Sequence, residues 1–145
     1  MVPSAQVFFV EVRASFEATA RTLGLTGPQE TEHVLPVSTY TGGGVTYGVS
    51  IDFREGAVQC RAEIEGESVI FTAGIEEVSL AAGMTERRGI SCSARNLKQL
   101  RKSLQGQIDC VRRIHPLLSD GDAAVGLMRR AHAREWNMRG PSDTR

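Results

Sequence analysis

Between residues 45 and 54 every second side chain is apolar: Val45, Tyr47, Val49, Ile51 and Phe53 alternate with Thr46, Gly48, Ser50, Asp52 and Arg54. Successive strand residues point to opposite faces, so this period of two specifies a strand with one buried and one wet face. Val58, Cys60, Ala62 and Ile64 repeat the pattern after a turn at Arg54-Glu55-Gly56. A two-residue turn at Gly66-Glu67, glycine first, suits a tight hairpin into Ser68–Ala73. Upstream, Pro36–Thr41 reads as another strand, joined to the next through Gly42-Gly43-Gly44. The expectation is an antiparallel meander of about four strands. Glu76–Leu80 fits either a fifth strand or a short helical turn, and its residues do not choose between them.

A sheet with one apolar face must be covered, and the flanking segments have helical spacing. Phe9, Val12, Phe16, Ala20 and Leu23 recur at steps of three and four after a start at Pro3-Ser4. Gly24 and then Gly27-Pro28 are expected to end that helix. From Ser93 onward Leu97, Leu100, Leu104, Ile108, Val111, Ile114 and Leu118 form a long stripe, with Pro116 placed to kink or stop the last turn. Asp120-Gly121-Asp122 breaks the chain and offers an N-cap to a final helix in which Ala124, Leu127, Met128 and Ala131 face inward, with Trp136 or Met138 closing the end. The fold expected is α+β: an N-terminal helix, the meander, and two C-terminal helices packed on one face of the sheet.

Length fits one domain, taken as residues 1–139, with a disordered tail at 140–145. The longest apolar run near the N-terminus, Val7–Val10, is far short of the ~20 residues a bilayer span needs. No membrane association is expected. Cys60, Cys92 and Cys110 are odd in number and lack CxxC spacing, which suggests free thiols and a cytoplasmic location.

The order of elements resembles that of short bacterial α+β proteins, some of them associated with toxin–immunity loci. The residues that carry the resemblance are Leu23-Gly24 at the end of the first helix, the strand Val49-Ser50-Ile51-Asp52-Phe53-Arg54, and Leu118-Ser119-Asp120-Gly121-Asp122 between the last two helices. The resemblance implies a fold and brings no catalytic residues.

Chemistry-bearing motifs are sparse. Gly42-Gly43-Gly44 leads into a strand, not into a helix with the Lys-Ser/Thr of a phosphate loop, and so reads as a hairpin connection. His33, His115 and His132 fall on three elements without zinc spacing. His132 and Glu135, three apart, could share a helix face but want a further ligand. Ser91-Cys92-Ser93 lacks a GxSxG elbow, and Ser91 or Ser93 suits an N-cap. Cys92 near that positive helix end is expected to have a lowered pKa. The carboxylate pairs Glu30/Glu32 and Glu76/Glu77 have no visible pocket. No cofactor or metal is expected, and an enzyme is the less favoured reading.

Charge is more informative. The chain is formally neutral, yet residues 1–92 carry 6 Lys/Arg against 12 Asp/Glu while residues 93–145 carry 11 against 5. Arg95, Lys98 and Lys102 can point out together as Leu97, Leu100 and Leu104 point in. They are the candidate contact surface for an acidic protein partner. The expected function is a non-enzymatic protein-binding module of immunity or regulatory type. Two alternatives stand: a nucleic-acid-associated protein using the basic helices, which a neutral total charge disfavours, and an enzyme or small-ligand binder whose site has no linear motif.

Overall fold

A computed structural model describes residues 4–83 and 90–137. The first element, α1 (Ala5–Leu23), starts where the Ser4 hydroxyl accepts a hydrogen bond from the Val7 N–H, and ends at Gly24 in the left-handed conformation. Five strands follow: β1 (Thr26–Glu32), β2 (Pro36–Gly42), β3 (Val45–Asp52), β4 (Ala57–Glu65) and β5 (Val69–Gly74). Three helices come next: α2 (Ile75–Ala81), α3 (Leu97–Leu118) and α4 (Gly121–Arg130). The last strand, β6 (Arg134–Asn137), returns to pair with β5, so the antiparallel sheet has the order β1-β2-β3-β4-β5-β6.

The sheet is one-faced, as the alternation requires. Ser38, Val49 and Cys60 form one cross-strand row on the covered face, and Tyr40, Tyr47, Ala62 and Ala73 form the next. All seven are buried. Against them pack Phe8, Val12 and Phe16 of α1, Leu100, Leu104, Ile108, Val111 and Ile114 of α3, and Leu127 and Met128 of α4. Phe16 stacks on Tyr40 with ring centroids 4.4 Å apart, fixing α1 over β2. The opposite face is polar, with threonines and glycines beside charged side chains. Thr39, Gly48, Arg61 and Gly74 form one of its rows, and Thr41, Thr46, Glu63, Thr72 and Arg134 another.

About four strands were expected and six are present among the described residues. β1 reads Thr-Gly-Pro-Gln-Glu-Thr-Glu and has no apolar alternation, because as an edge strand it buries little and is held by backbone pairing. Gly27-Pro28 therefore lies within a strand, at an irregularity of the β1–β2 ladder, and the helix has already ended at Gly24. A side chain at Gly27 would meet the Thr39 carbonyl oxygen at 2.6 Å. β6 is four exposed residues whose partner lies some sixty residues earlier, and Trp136 therefore sits on a sheet edge and closes no helix. Glu76–Leu80 belongs to α2.

The long helix begins four residues later than Ser93: its cap is Asn96, whose side chain accepts from the Gln99 N–H at 2.9 Å. Ser91 and Ser93 instead tie the preceding segment down. Ser93 bridges Ala57, and Ser103 Oγ donates to the Ser93 carbonyl at 2.7 Å. Asp120 occupies the N-cap position of α4 without a side-chain capping bond. The hairpin from Glu65 to Val69 spans three residues, with the Gly66 N–H donating to the Val69 carbonyl at 2.7 Å. The expected tail at 140–145 and the Met138 contact lie outside the described residues.

Candidate functional site

The outward side of α3 is built by its register. Leu100, Leu104, Ile108, Val111 and Ile114 turn toward the sheet, which leaves Lys98 and Lys102, one turn apart, exposed on the opposite side. Arg95 precedes the helix. Its N–H donates to Gln99 Oε1, and its side chain lies across Gly56 of the β3–β4 turn. The structure thus joins Lys98 with Lys102 and sets Arg95 at the end of the stripe. Between them Arg101 turns aside to α1, where Nε and Nη2 donate to the two Glu11 oxygens at 2.9 and 3.0 Å. That hydrogen bond holds the Glu11 carboxyl below its usual range.

Four other described arginines are also engaged by carboxylates. Arg13 forks onto Glu30 at 2.6 and 3.0 Å. Arg21 pairs with Glu17, Arg112 with Asp109, and Arg129 with Glu135. Among the described residues no carboxylate lies within 4.0 Å of Arg95, Lys98 or Lys102.

Cys92 corrects the expectation of an activated thiol. It is separated from the start of α3 and half-buried beside α2, so burial first, then Glu76 and Glu77, push its pKa up. Cys60 is buried and pushed up to about 12. All three cysteines are free thiols. Glu76 and Glu77 do not act as a pair: Glu76 accepts from the Ile90 N–H at 3.3 Å, whereas Glu77 folds over Gly74.

The histidines part company. Buried His115 shares a 2.7 Å hydrogen bond between its Nδ1 and the Tyr47 hydroxyl, and burial holds its imidazole below the usual range. This is a core pair, tying α3 to β3. His33 is exposed in the β1–β2 connection. His132 lies beyond α4 with φ +58°, and Glu135 is on β6, so the two share no helix face. Among the described residues, no group of three or more His, Cys, Asp or Glu side chains is arranged to hold a metal ion. The glycine run is a tight hairpin turn: Gly43 and Gly44 both have positive φ, +63° and +81°, as a two-residue turn with matching twist requires. Among the described residues no helix is long and apolar enough to cross a membrane.

Sequence reasoning missed one feature. On the open face at the β4–β5–β6 edge a depression of about 550 Å³ is lined by Arg61, Thr72, Glu77, His132, Arg134 and Trp136, among others. Its signal is non-local, because three of these residues arrive with β6 and the turn before it. A second hollow of similar size, about 540 Å³, is rimmed by Glu65, Glu67, Asp122 and Arg129 at the β4–β5 hairpin. Comparison of the chain with family models, with curated proteins and with solved structures returned no match.

Proposed function

We propose that the protein is a non-enzymatic binding module that docks an acidic protein partner through the outward side of α3, with Lys98 and Lys102 at the centre and Arg95 at the edge. One observation carries this reading. These three exposed cations lie together along one side of α3 and its start without a carboxylate among the described residues, while their neighbour Arg101 is matched to Glu11; Arg54, Arg61, Arg130 and Arg134, also without one, lie on other segments. Unmatched charge on one side of a neutral chain adds little to stability and raises the rate at which an oppositely charged surface is met. A module of immunity or regulatory type works by covering a partner's surface, and such work needs complementarity more than a pocket. Nucleic acid is the weaker partner: Asp109 interrupts the stripe one turn beyond Gln105, and α3 offers no aromatic side chain on which a base could stack.

The test uses the wild-type chain and an Arg95→Glu, Lys98→Glu, Lys102→Glu variant as baits in a lysate of the native cell. The captured protein is then purified and rebound to each. The expected result is an acidic protein that rebinds the wild type and loses at least about tenfold in affinity for the variant, the scale set by one or two desolvated charge pairs. Equal rebinding of the variant overturns the assignment. So does sub-micromolar binding of duplex DNA at physiological salt, well beyond the 10⁻⁴–10⁻⁶ M or so of non-specific contacts.

A further inference from the structure

The depression at the β4–β5–β6 edge lies on the side of the sheet away from α3, so it belongs to no part of the surface just described. Two guanidinium groups open onto it. Arg61 sits between Gly48 and Gly74 in its cross-strand row, so neither neighbouring strand places a side chain against it. Arg134 lies over the Trp136 ring, its guanidinium carbon 4.8 Å from the centroid. No carboxylate among the described residues comes within 4.0 Å of either. Glu77 is placed elsewhere on the wall by Gly74, where any Cβ would collide with Glu77 Oε1.

His132 supplies an independent sign of a site. The turn after α4 has the hydrogen bonds of a left-handed helix cap: the His132 N–H donates to the Arg129 carbonyl at 3.0 Å and the Ala133 N–H to the Met128 carbonyl at 2.9 Å. The residue at φ +58° in such a cap is usually glycine, because a Cβ is strained there. Here it is a histidine whose side chain lines the depression. Strain and two arginines without a carboxylate thus meet on one wall of the depression, at a position where the fold itself would be better served by glycine.

We propose that this depression binds a small aromatic carboxylate. Arg61 and Arg134 grip the carboxylate as paired N–H donors, His132 adds a further hydrogen bond, and the ring packs beside Trp136, whose face Arg134 partly covers. Charge selects carboxylate over phosphate. With Arg61 and Arg134 set against Glu77, the three charged lining residues balance one negative charge, and a dianion would leave the second facing Glu77. The volume of about 550 Å³ is within the range of small-ligand sites.

Trp136 is the sole tryptophan, so one indole N–H signal in a ¹H–¹⁵N spectrum reports on the site alone. The full chain is titrated with benzoate, with neutral benzamide and with phenyl phosphate. Benzoate is expected to move the Trp136 signal saturably, with a dissociation constant of about 1 mM or below, and benzamide not to. Arg61→Gln and Arg134→Gln are each expected to weaken benzoate by about tenfold or more, as loss of a charge-assisted bond implies. His132→Gly is expected to weaken it while raising the melting temperature, a combination that a purely structural histidine would not give. The proposal is overturned if benzoate produces no saturable shift, if benzamide matches it, if phenyl phosphate binds more tightly, or if both arginine variants bind as the wild type does. The benzoate–benzamide comparison decides the matter on the wild type alone, even where a variant fails to fold.

Discussion

Replacing Tyr47 by Phe removes one oxygen from the centre of the molecule. Tyr47 has no exposed surface, and its hydroxyl shares the 2.7 Å bond with His115 Nδ1, itself 6% exposed on α3. Phenylalanine keeps the ring and its packing, so the cavity created is no larger than a hydroxyl. What is lost is the bond, worth about 1 kcal/mol net, and the partner left behind, since a buried nitrogen without a hydrogen bond costs about 1–3 kcal/mol. The expected loss is therefore about 2 kcal/mol, or some 6–8 °C in melting temperature for a chain near this size. Urea unfolding followed by far-ultraviolet circular dichroism should show a lower midpoint at an unchanged slope. In a Tyr47→Phe, His115→Leu double variant the two losses should fall short of additivity, because both polar partners are then gone. A loss below about 0.5 kcal/mol for Tyr47→Phe would refute the view that this pair joins α3 to the sheet.

Four further outcomes are expected. Burial lowers the His115 pKa, so the folded chain keeps it neutral where the unfolded chain takes up a proton: stability should be complete above the ordinary value of 6.5 and fall as pH drops through the lowered folded value, a decline that His115→Gln flattens in pH-dependent melting. A second decline should begin below the ordinary carboxylate value of 4.5, because Glu11 and Glu30 are held low by the Arg101 and Arg13 hydrogen bonds and that stabilisation is lost as they protonate. Mass spectrometry of fresh protein should find three free thiols, with Cys92 alkylated first, yet more slowly than an exposed cysteine, and Cys60 protected until unfolding. Gly43→Ala should destabilise more than Gly44→Ala: both positions have positive φ, but a Cβ at Gly43 also meets His115 Nε2 at 3.1 Å and Ser119 Cβ at 3.2 Å, while Gly44 has open space.

The parts of the fold legible in the sequence are those where burial leaves a period. Val45–Asp52 and Ala57–Glu65 alternate because one face is covered along their whole length, and the α3 stripe repeats because it lies on that face. β1 and β6 left no such mark. Both are edge strands, fixed by backbone pairing that any side chains can satisfy. The start of α3 was misplaced because Ser93 and Asn96 are both good caps, and only the Ala57–Ser93 bridge, a tertiary contact, decides between them. Lys98 and Lys102 were readable from helical spacing, whereas Arg95 lies outside the helix and escapes that rule. The depression around Arg61 was beyond reach, since its wall is completed by a strand that the sequence does not announce.

The central claim, that unmatched cations on α3 steer an acidic partner, is tested most directly by association kinetics. Stopped-flow binding of the captured partner would be measured at about 50 and 200 mM salt, for the wild type and for the Arg95→Glu, Lys98→Glu, Lys102→Glu variant. The account predicts that the wild-type association rate falls as salt rises, that the variant associates at least about tenfold more slowly at low salt with a flattened salt dependence, and that dissociation changes less than association. Its melting temperature should stay within about 5 °C of the wild type, since exposed charges of this kind contribute within about 0.5 kcal/mol each. A variant that remains folded and associates at the wild-type rate at both salt concentrations would contradict it.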